Sequence, residues 1–402
     1  MSKLKRYTAQ NVYDAAIERL TTIYSSFERV YLSVSFGKDS TVMLHLAIDV
    51  ARRLGKLPVH VLLIDLEGQY QSTIRHAEEM FSRPEVVGHW VCLPLNLRNA
   101  VSMYQPFWTC WDPAEQERWI RPLPSNPYAV NDPAFFPFFR HGMEFEEFIV
   151  DYARWFADGR LTACGVGIRC NESLNRFRTI ANLAKERFDG HQWTTQIVPA
   201  GPSVFNFYPI YDWVTEDVWT AIGKNGWPYN KIYDIMYMAG VSIHDARLCQ
   251  PYGDDQRRGL DLFHRCEPET WFRVVGRVQG ANFGAHHAKS ALMGWHRMTK
   301  PAGHTWRSYS EFLLNSLPRY EREWYLAKFK HFFRWWERKR GIKLEDVPDE
   351  ADVALEAHRK TPSWRRIARC IITNDKLCKS LSFGQTKHQW EKYLHFREEY
   401  GE

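Results

Sequence analysis

Nothing in this 402-residue chain approaches the ~18 consecutive apolar residues of a membrane-spanning helix. The start, MSKLKRYTAQ, is basic but lacks the apolar stretch of a secretory leader, so no signal peptide is expected. Its eight cysteines stand singly at 92, 110, 164, 170, 249, 266, 370 and 378, with no C-x-x-C pair. That spacing points to neither a zinc ribbon nor a disulfide scaffold, and no iron–sulfur cluster is expected. No internal repeat is evident. The G-x-x-x-x-G-K-[ST] phosphate loop is also missing. No membrane partner is therefore expected, and cytoplasm is the expected compartment.

What is present suits a full core: 45% of residues are hydrophobic and 25% charged. Seventeen tryptophans and an aromatic share of 15% exceed ordinary usage, so the excess is either buried or used for stacking. The net charge of +6 leans mildly toward anionic partners such as nucleotides or nucleic acid. The length favours a main domain with an appendage.

Along the chain, residues 10–27 read as a helix and RVYLSVS (29–35) as a strand. Residues 40–55 form an amphipathic helix stopped by Gly55. PVHVLLIDL (58–66) is almost continuously apolar, as a strand covered on both faces should be. Helix 71–83 and strand HWVCLPL (89–95) follow. This rhythm predicts an α/β fold with a doubly wound, mostly parallel sheet. Residues 104–140 then lose all period and fill with Pro, Phe and Trp, the composition of a lid or an ordered surface wrap. Helix 144–158, strand 161–167, helix 173–187, strand 205–213 and helix 215–226 resume the alternation. Beyond about 240 the chain reads as mainly helical, which divides it into 1–245 and 246–402.

The first strand runs into Ser35-Phe36-Gly37-Lys38-Asp39-Ser40 and straight out into a helix. A strand-to-helix turn at the carboxyl end of a parallel sheet is the usual phosphate position, because the helix N-terminus offers free N–H groups. Gly37 lets backbone approach a phosphate, Lys38 adds a charge, Ser40 donates a hydrogen bond, and Asp39 is a candidate magnesium ligand. The bland alternative is an ordinary turn with a capping Asp or Ser. A second strand-to-helix turn, GVGIRCNES (165–173), carries Arg169, suited to clamp phosphate. A third block is YPIYDWVTEDVW with WPYNKIYDIMYMAG (208–240).

These three blocks, in this order, resemble the PP-loop (adenine-nucleotide α-hydrolase-like) superfamily, in its phosphoadenylylsulfate (PAPS) reductase-like branch. DLEGQYQST (65–73), PYGDDQRRGLDLFHRCEPETW (251–271), GANFGA (280–285) and SWRRIARCIITNDKLCKSLSF (363–383) further resemble the immunoglobulin-binding regulator A subfamily, which has an uncharacterised C-terminal region. Phe36 stands at the second position of the common S-G-G-x-D-S loop. A position needing φ > 0 would penalise phenylalanine, so the turn is expected to accept an L-residue there. The E-C-G-I-H motif that supplies the reactive cysteine of PAPS reductases is missing, which counts against reductase chemistry and leaves it as an alternative.

The resemblance implies an ATP-binding enzyme that cleaves between the α- and β-phosphates, adenylylates an acceptor and releases pyrophosphate, with magnesium neutralising charge. The implied nucleotide set is Ser33, Ser35, Phe36, Gly37, Lys38, Asp39, Ser40, Asp65, Glu67, Gly167, Arg169, Glu172 and Ser173. Asp65 and Glu67 would line the adenosine side, Arg169 would reach the α-phosphate, and Glu172 would orient Arg169. Lys38, Asp39, Arg169 and Arg257 are the implied catalytic residues. The alternatives are a PAPS-using sulfonucleotide reductase, and a nucleotide-sensing regulator with a ParB/sulfiredoxin-like protein partner.

Several features stay open between function and scaffold. Cys170 is the better thiol candidate, while His244, Cys249, His264 and Cys266 fit no standard zinc spacing. Arg247 and the cluster Asp254, Asp255, Gln256, Arg257 and Arg258 read equally as a solvated loop or an anion contact. Trp108 or Trp111 is expected to offer a stacking face to the second substrate. In YEREWYLAKFKHFFRWWERKRG (320–341), nucleic-acid contact is the lesser reading and a helix packed on a core the greater.

Overall fold

Leu32 and its strand, β1 (Arg29–Ser33), sit at the centre of a seven-stranded sheet. The computed structural model describes residues 8–99, 102, 105–182, 185–248, 260–281, 300–373, 375–384 and 386–400, with backbone alone at 174, 175, 260, 261, 387 and 400. It divides into two compact units, Met1–Asn99 with Trp108–Ala281, and Ala100–Phe107 with Asn282–Glu402.

In the first unit, β1 pairs in parallel with β2 (Val59–Ile64) on one side and β7 (Thr162–Val166) on the other. Beyond β2 lie β3 (Val86–Val91) and the two-residue edge strand β6 (Ala129–Val130), both parallel. Beyond β7 lie β9 (Val204–Phe207), parallel, and β8 (Thr194–Gln196), antiparallel. Short strands β4 (Asn96–Arg98) and β5 (Phe107–Thr109) stand outside this sheet. The α/β class and the mainly parallel sheet therefore stand as read from the sequence.

Alternation along β1 sends Tyr31 and Leu32 to opposite faces. Tyr31 meets Tyr152 and Phe156 of α4 (Phe145–Ala157), with ring centroids 5.3 and 4.9 Å away. α2 (Lys38–Arg53) lies against β2 and β7 and between α1 (Val12–Ser26) and α6 (Thr215–Asn225), which explains why it is buried on nearly every face. His45 of α2 is stacked on Trp227 and faces the Pro228 carbonyl at 3.0 Å; burial lowers its pKa to about 4.

One reading is corrected and another made specific. The third strand begins at Val86, three residues before HWVCLPL, and ends at Val91. Pro94 has no N–H to give a ladder, so the apolar run leaves the sheet before it. The irregular 104–140 stretch supplies a sheet edge: the Trp90 N–H donates to the Tyr128 carbonyl at 2.8 Å and the Cys92 N–H to that of Val130 at 2.8 Å. Its Phe136 is buried, edge-on to Phe148, Tyr152 and Trp155 at 5.0–5.8 Å. Much of the aromatic excess is thus core.

The second unit is helical. Its helix Arg319–Arg340 buries Trp324, Tyr325, Phe329, Phe332 and Trp336 along one stripe, with Lys330, Arg334, Arg338, Lys339 and Arg340 exposed. Helices Trp306–Ser316 and Trp364–Ile372 join that core through Trp306, Leu314, Ile367 and Ile371. The packed-helix reading of 320–341 holds, and its buried aromatics are withdrawn from base stacking. No helix among the described residues is long and apolar enough to cross a membrane.

Candidate functional site

The strand order reverses between β1 and β7, and ligands of open α/β sheets bind in the crevice at such a point. Two loops meet there: 34–37 after β1 and 167–173 after β7. α2 begins at Lys38 rather than at Ser40, so Lys38, Asp39 and Ser40 all lie in its first turn. Gly37 is its N-cap, extended at φ −73° and ψ 165°, with no side chain of its own to serve the helix N–H groups.

Phe36 takes φ +55°, the left-handed region. The turn accepts an L-residue there, as expected, and holds it in the conformation that favours glycine. An L-residue there costs roughly 1–2 kcal/mol. Full burial of the ring against His76 and Phe81, at centroid distances of 5.8 Å each, offsets it, since burying a phenylalanine yields about 1.5–3 kcal/mol.

Gly167 makes the two loops touch. A Cβ there would lie 2.8 Å from Ser40 Cα, closer than real Cβ contacts come, and 3.0 Å from Ser40 N. Bare backbone at 167 is what lets the β7 loop reach α2. Two residues on, buried Arg169 donates from Nε to Asp39 Oδ1 at 2.6 Å and from Nη1 to Asn171 Oδ1 at 3.0 Å. Asp39 Oδ2 lies 3.5 Å from Lys38 Nζ. Lys38, Asp39 and Arg169 thus form a cation–carboxylate–cation cluster at a helix N-terminus, with both cations buried and the carboxylate partly so. The Ser35 and Ser40 hydroxyls lie 3.3 Å apart, and Ser40 donates to the Gly37 carbonyl at 3.2 Å. Ser33 closes β1 opposite Leu62 and Val166.

The donors that suit a phosphate are held by the chain itself. The Lys38 N–H donates to the Tyr233 hydroxyl at 3.0 Å, and Lys38 Nζ donates to the Ala246 carbonyl at 2.9 Å, above the Tyr233 ring at 5.3 Å. Asn230 Nδ2 donates to the Phe36 carbonyl at 3.1 Å and to Thr73 Oγ1 at 2.8 Å. Tyr233 and Asn230 come from the quoted 208–240 block, which was legible as a motif but not as a contact with Lys38.

Other implied site residues are placed differently from the expectation. Glu172 does not orient Arg169; its Oε1 pairs with Arg176 at 3.2 Å, and its carbonyl accepts a bond from Arg247. Ser173 is the N-cap of α5 (Leu174–Ala181), accepting from the Arg176 N–H at 3.2 Å. Asp65 and Glu67 are fully buried and saturated by internal partners rather than facing an adenosine. Asp65 Oδ2 accepts from Trp90 Nε1 at 2.7 Å and pairs with Arg121. Glu67 accepts from the N–H groups of Trp111 at 2.7 Å and Ile120 at 3.0 Å, and pairs with Arg277 Nε at 3.1 Å. Burial raises the Glu67 pKa despite that arginine, which pulls it back down.

The same clasp removes the tryptophans from a stacking role. Trp108 and Trp111 are buried, with Arg277 5.0 Å from the centre of the Trp108 ring and Arg121 4.9 Å from that of Trp111. Arg277, in the helix Pro268–Arg277, and Arg121 were invisible as partners because each lies far from its carboxylate in sequence. Arg257, Arg258, Asp254, Asp255, Gln256 and Cys249 lie outside the described residues. Among the described cysteines only Cys170 and Cys266 are not buried; burial pushes the Cys164 thiol up to about 12.

Magnesium does not fit the side chains at this turn. Both Asp39 oxygens already face cations, and among the described residues no three His, Cys, Asp or Glu side chains gather as a metal group.

Residues 29–240 match the phosphoadenosine phosphosulfate reductase domain, and residues 240–346 and 337–392 match a domain of unknown function, DUF3440. The chain is 39% identical over 390 residues to the uncharacterized protein YbdN of Escherichia coli strain K12, covering 95% of this chain and 93% of that protein. It is 24% identical over 282 residues to sulfate adenylyltransferase subunit 2 of Mycobacterium bovis, covering 65% of this chain and 75% of that protein. Among solved structures, a phosphoadenylyl-sulfate reductase from Candida auris aligns with 57% of this chain and 93% of its own, at 13% identity and a TM-score of 0.30.

Proposed function

The chain belongs to the phosphoadenosine phosphosulfate reductase domain family, and from that premise we propose that it binds ATP at the β1–α2 turn and passes the adenylyl group to an acceptor. One observation carries the reading: the largely buried Lys38–Asp39–Arg169 cluster at the α2 N-terminus, where the sheet order reverses. A helix N-terminus with a lysine and an arginine suits the polyphosphate of a nucleotide. The name of the mycobacterial relative, an adenylyltransferase subunit, supports transfer of AMP over transfer of a terminal phosphoryl group.

In that reaction an acceptor oxygen attacks the α-phosphorus, the bond from that phosphorus to the α,β-bridging oxygen breaks, and pyrophosphate leaves with the electron pair. Lys38 and the α2 amides stabilise charge growing on the leaving pyrophosphate, and Arg169 holds the α-phosphate in line. Before that, Tyr233 and Ala246 release Lys38 and are replaced by phosphate oxygens.

A second reading is sensing without turnover. It is favoured by the internal capping of Lys38, which makes occupancy of the turn a choice between the chain's own groups and a ligand. Incubation of the intact chain with ATP, magnesium and a panel of oxyanion acceptors separates the two. Acceptor-dependent release of AMP product and pyrophosphate is expected. ATP binding with no pyrophosphate for any acceptor contradicts transfer and leaves sensing.

A further inference from the structure

We infer that Asp39 is a positioning residue for Arg169 and Lys38, and that it does not ligate magnesium. The inference rests on the proposed nucleotide site and assigns a role within it. A magnesium ligand needs an oxygen lone pair open to a hard cation that holds six oxygens in near-octahedral order. Each Asp39 oxygen already faces a cation. Oδ1 takes the Arg169 Nε bond at 2.6 Å, and Oδ2 faces Lys38 Nζ at 3.5 Å. All three side chains are at least 85% withdrawn from solvent, with exposures of 3% for Arg169, 4% for Lys38 and 15% for Asp39. A third cation on this carboxylate would sit against two others in a place where water screens poorly.

The alternative use of the carboxylate follows from geometry. Nε is the guanidinium nitrogen nearest the chain, and anchoring it fixes the plane of the group. Nη1 is anchored too, on Asn171. The guanidinium is thereby held rigid on the β7 loop, and Gly167 holds that loop against Ser40. Asp39 also keeps the Lys38 ammonium over the turn rather than extended into solvent. Charge at the phosphates is then met by Lys38, Arg169 and the α2 amides, while any magnesium that accompanies ATP stays on phosphate and water oxygens.

Titration calorimetry of ATP against the intact chain tests this, first in EDTA and then across a magnesium series. The variants are Asp39→Asn, Arg169→Gln, the double variant, and Lys38→Ala as control. Positioning predicts that Asp39→Asn weakens ATP binding about three- to tenfold, by the same factor with and without magnesium, since the bond to Arg169 loses the charge of its acceptor. The magnesium concentration for half-maximal enhancement stays within about twofold, and the double variant binds no worse than Arg169→Gln alone. A tenfold rise in that concentration overturns the inference, as does unaltered metal-free ATP binding by Asp39→Asn. If Asp39→Asn does not fold, Asp39→Glu serves: a metal ligand would tolerate the longer carboxylate, whereas the Arg169 contact would not. Lys38→Ala separates the levels. If it binds ATP as the unaltered chain does, the nucleotide site itself is wrong; if it fails to bind while the magnesium requirement moves with Asp39, only this inference falls.

Discussion

Gly167 and Phe36 set the shape of the turn through opposite devices. Phe36 accepts an unfavourable backbone conformation and is held there by its buried ring. Gly167 has a favourable one and is required only for closeness: 2.8 Å separates its missing Cβ from Ser40 Cα. Because the neighbouring atoms are backbone of α2, they cannot swing aside as a side chain would. Gly167→Ala therefore pushes the β7 loop off the helix, at a cost of about 1–3 kcal/mol as for other overpacked sites. Thermal melts should show the lower stability, and ATP affinity should fall as well, since Arg169 moves with the loop. A variant as stable as the unaltered protein would mean that the loops do not need this contact. The glycine was legible as part of G-V-G-I-R, but as a phosphate neighbour; its packing role depends on a helix 127 positions earlier in the chain.

Two helix N-termini at the carboxyl end of the sheet are served by groups from the segment after β9. Tyr233 accepts the first N–H of α2 at 3.0 Å, and Glu267 accepts those of Gln71 and Ser72, at the start of α3 (Gln71–Phe81), at 2.7 and 3.1 Å. Free helix donors satisfied in this way must be released before a ligand uses them. Tyr233→Phe deletes one such competitor while keeping the ring under Lys38. ATP affinity should rise about two- to tenfold by calorimetry, the worth of one neutral hydrogen bond. Weaker binding would show instead that the hydroxyl stays and contacts the nucleotide. At this scale periodicity was a good guide to β1, β2, β7, α2 and α4. It misjudged β3, where Pro94 ends the ladder, and missed β8, whose three residues are too few to alternate visibly.

For the whole molecule, three motif blocks in order were enough to read the sheet and the position of its turn. They could not reveal what joins the blocks. The clasps Arg121–Asp65, Arg277–Glu67, Glu267–Gln71 and Tyr233–Lys38 span 56, 210, 196 and 195 residues of sequence. Contacts of that range leave no local period, and a buried arginine looks like any surface arginine until its partner is known. So Asp65 and Glu67 read as ligand-facing carboxylates, whereas burial and two arginines make them the anchors of the 111–121 segment and the helix Pro268–Arg277. The tryptophans beside them follow the same logic. The central claim remains that Lys38 and the α2 N-terminus hold a nucleotide. Calorimetric titration of ATP into the intact chain and into Lys38→Ala, with melts confirming that both are folded, tests it most directly. The account predicts a loss of roughly 1.5–3 kcal/mol, about ten- to a hundredfold in affinity. Equal affinity in the two proteins would contradict it.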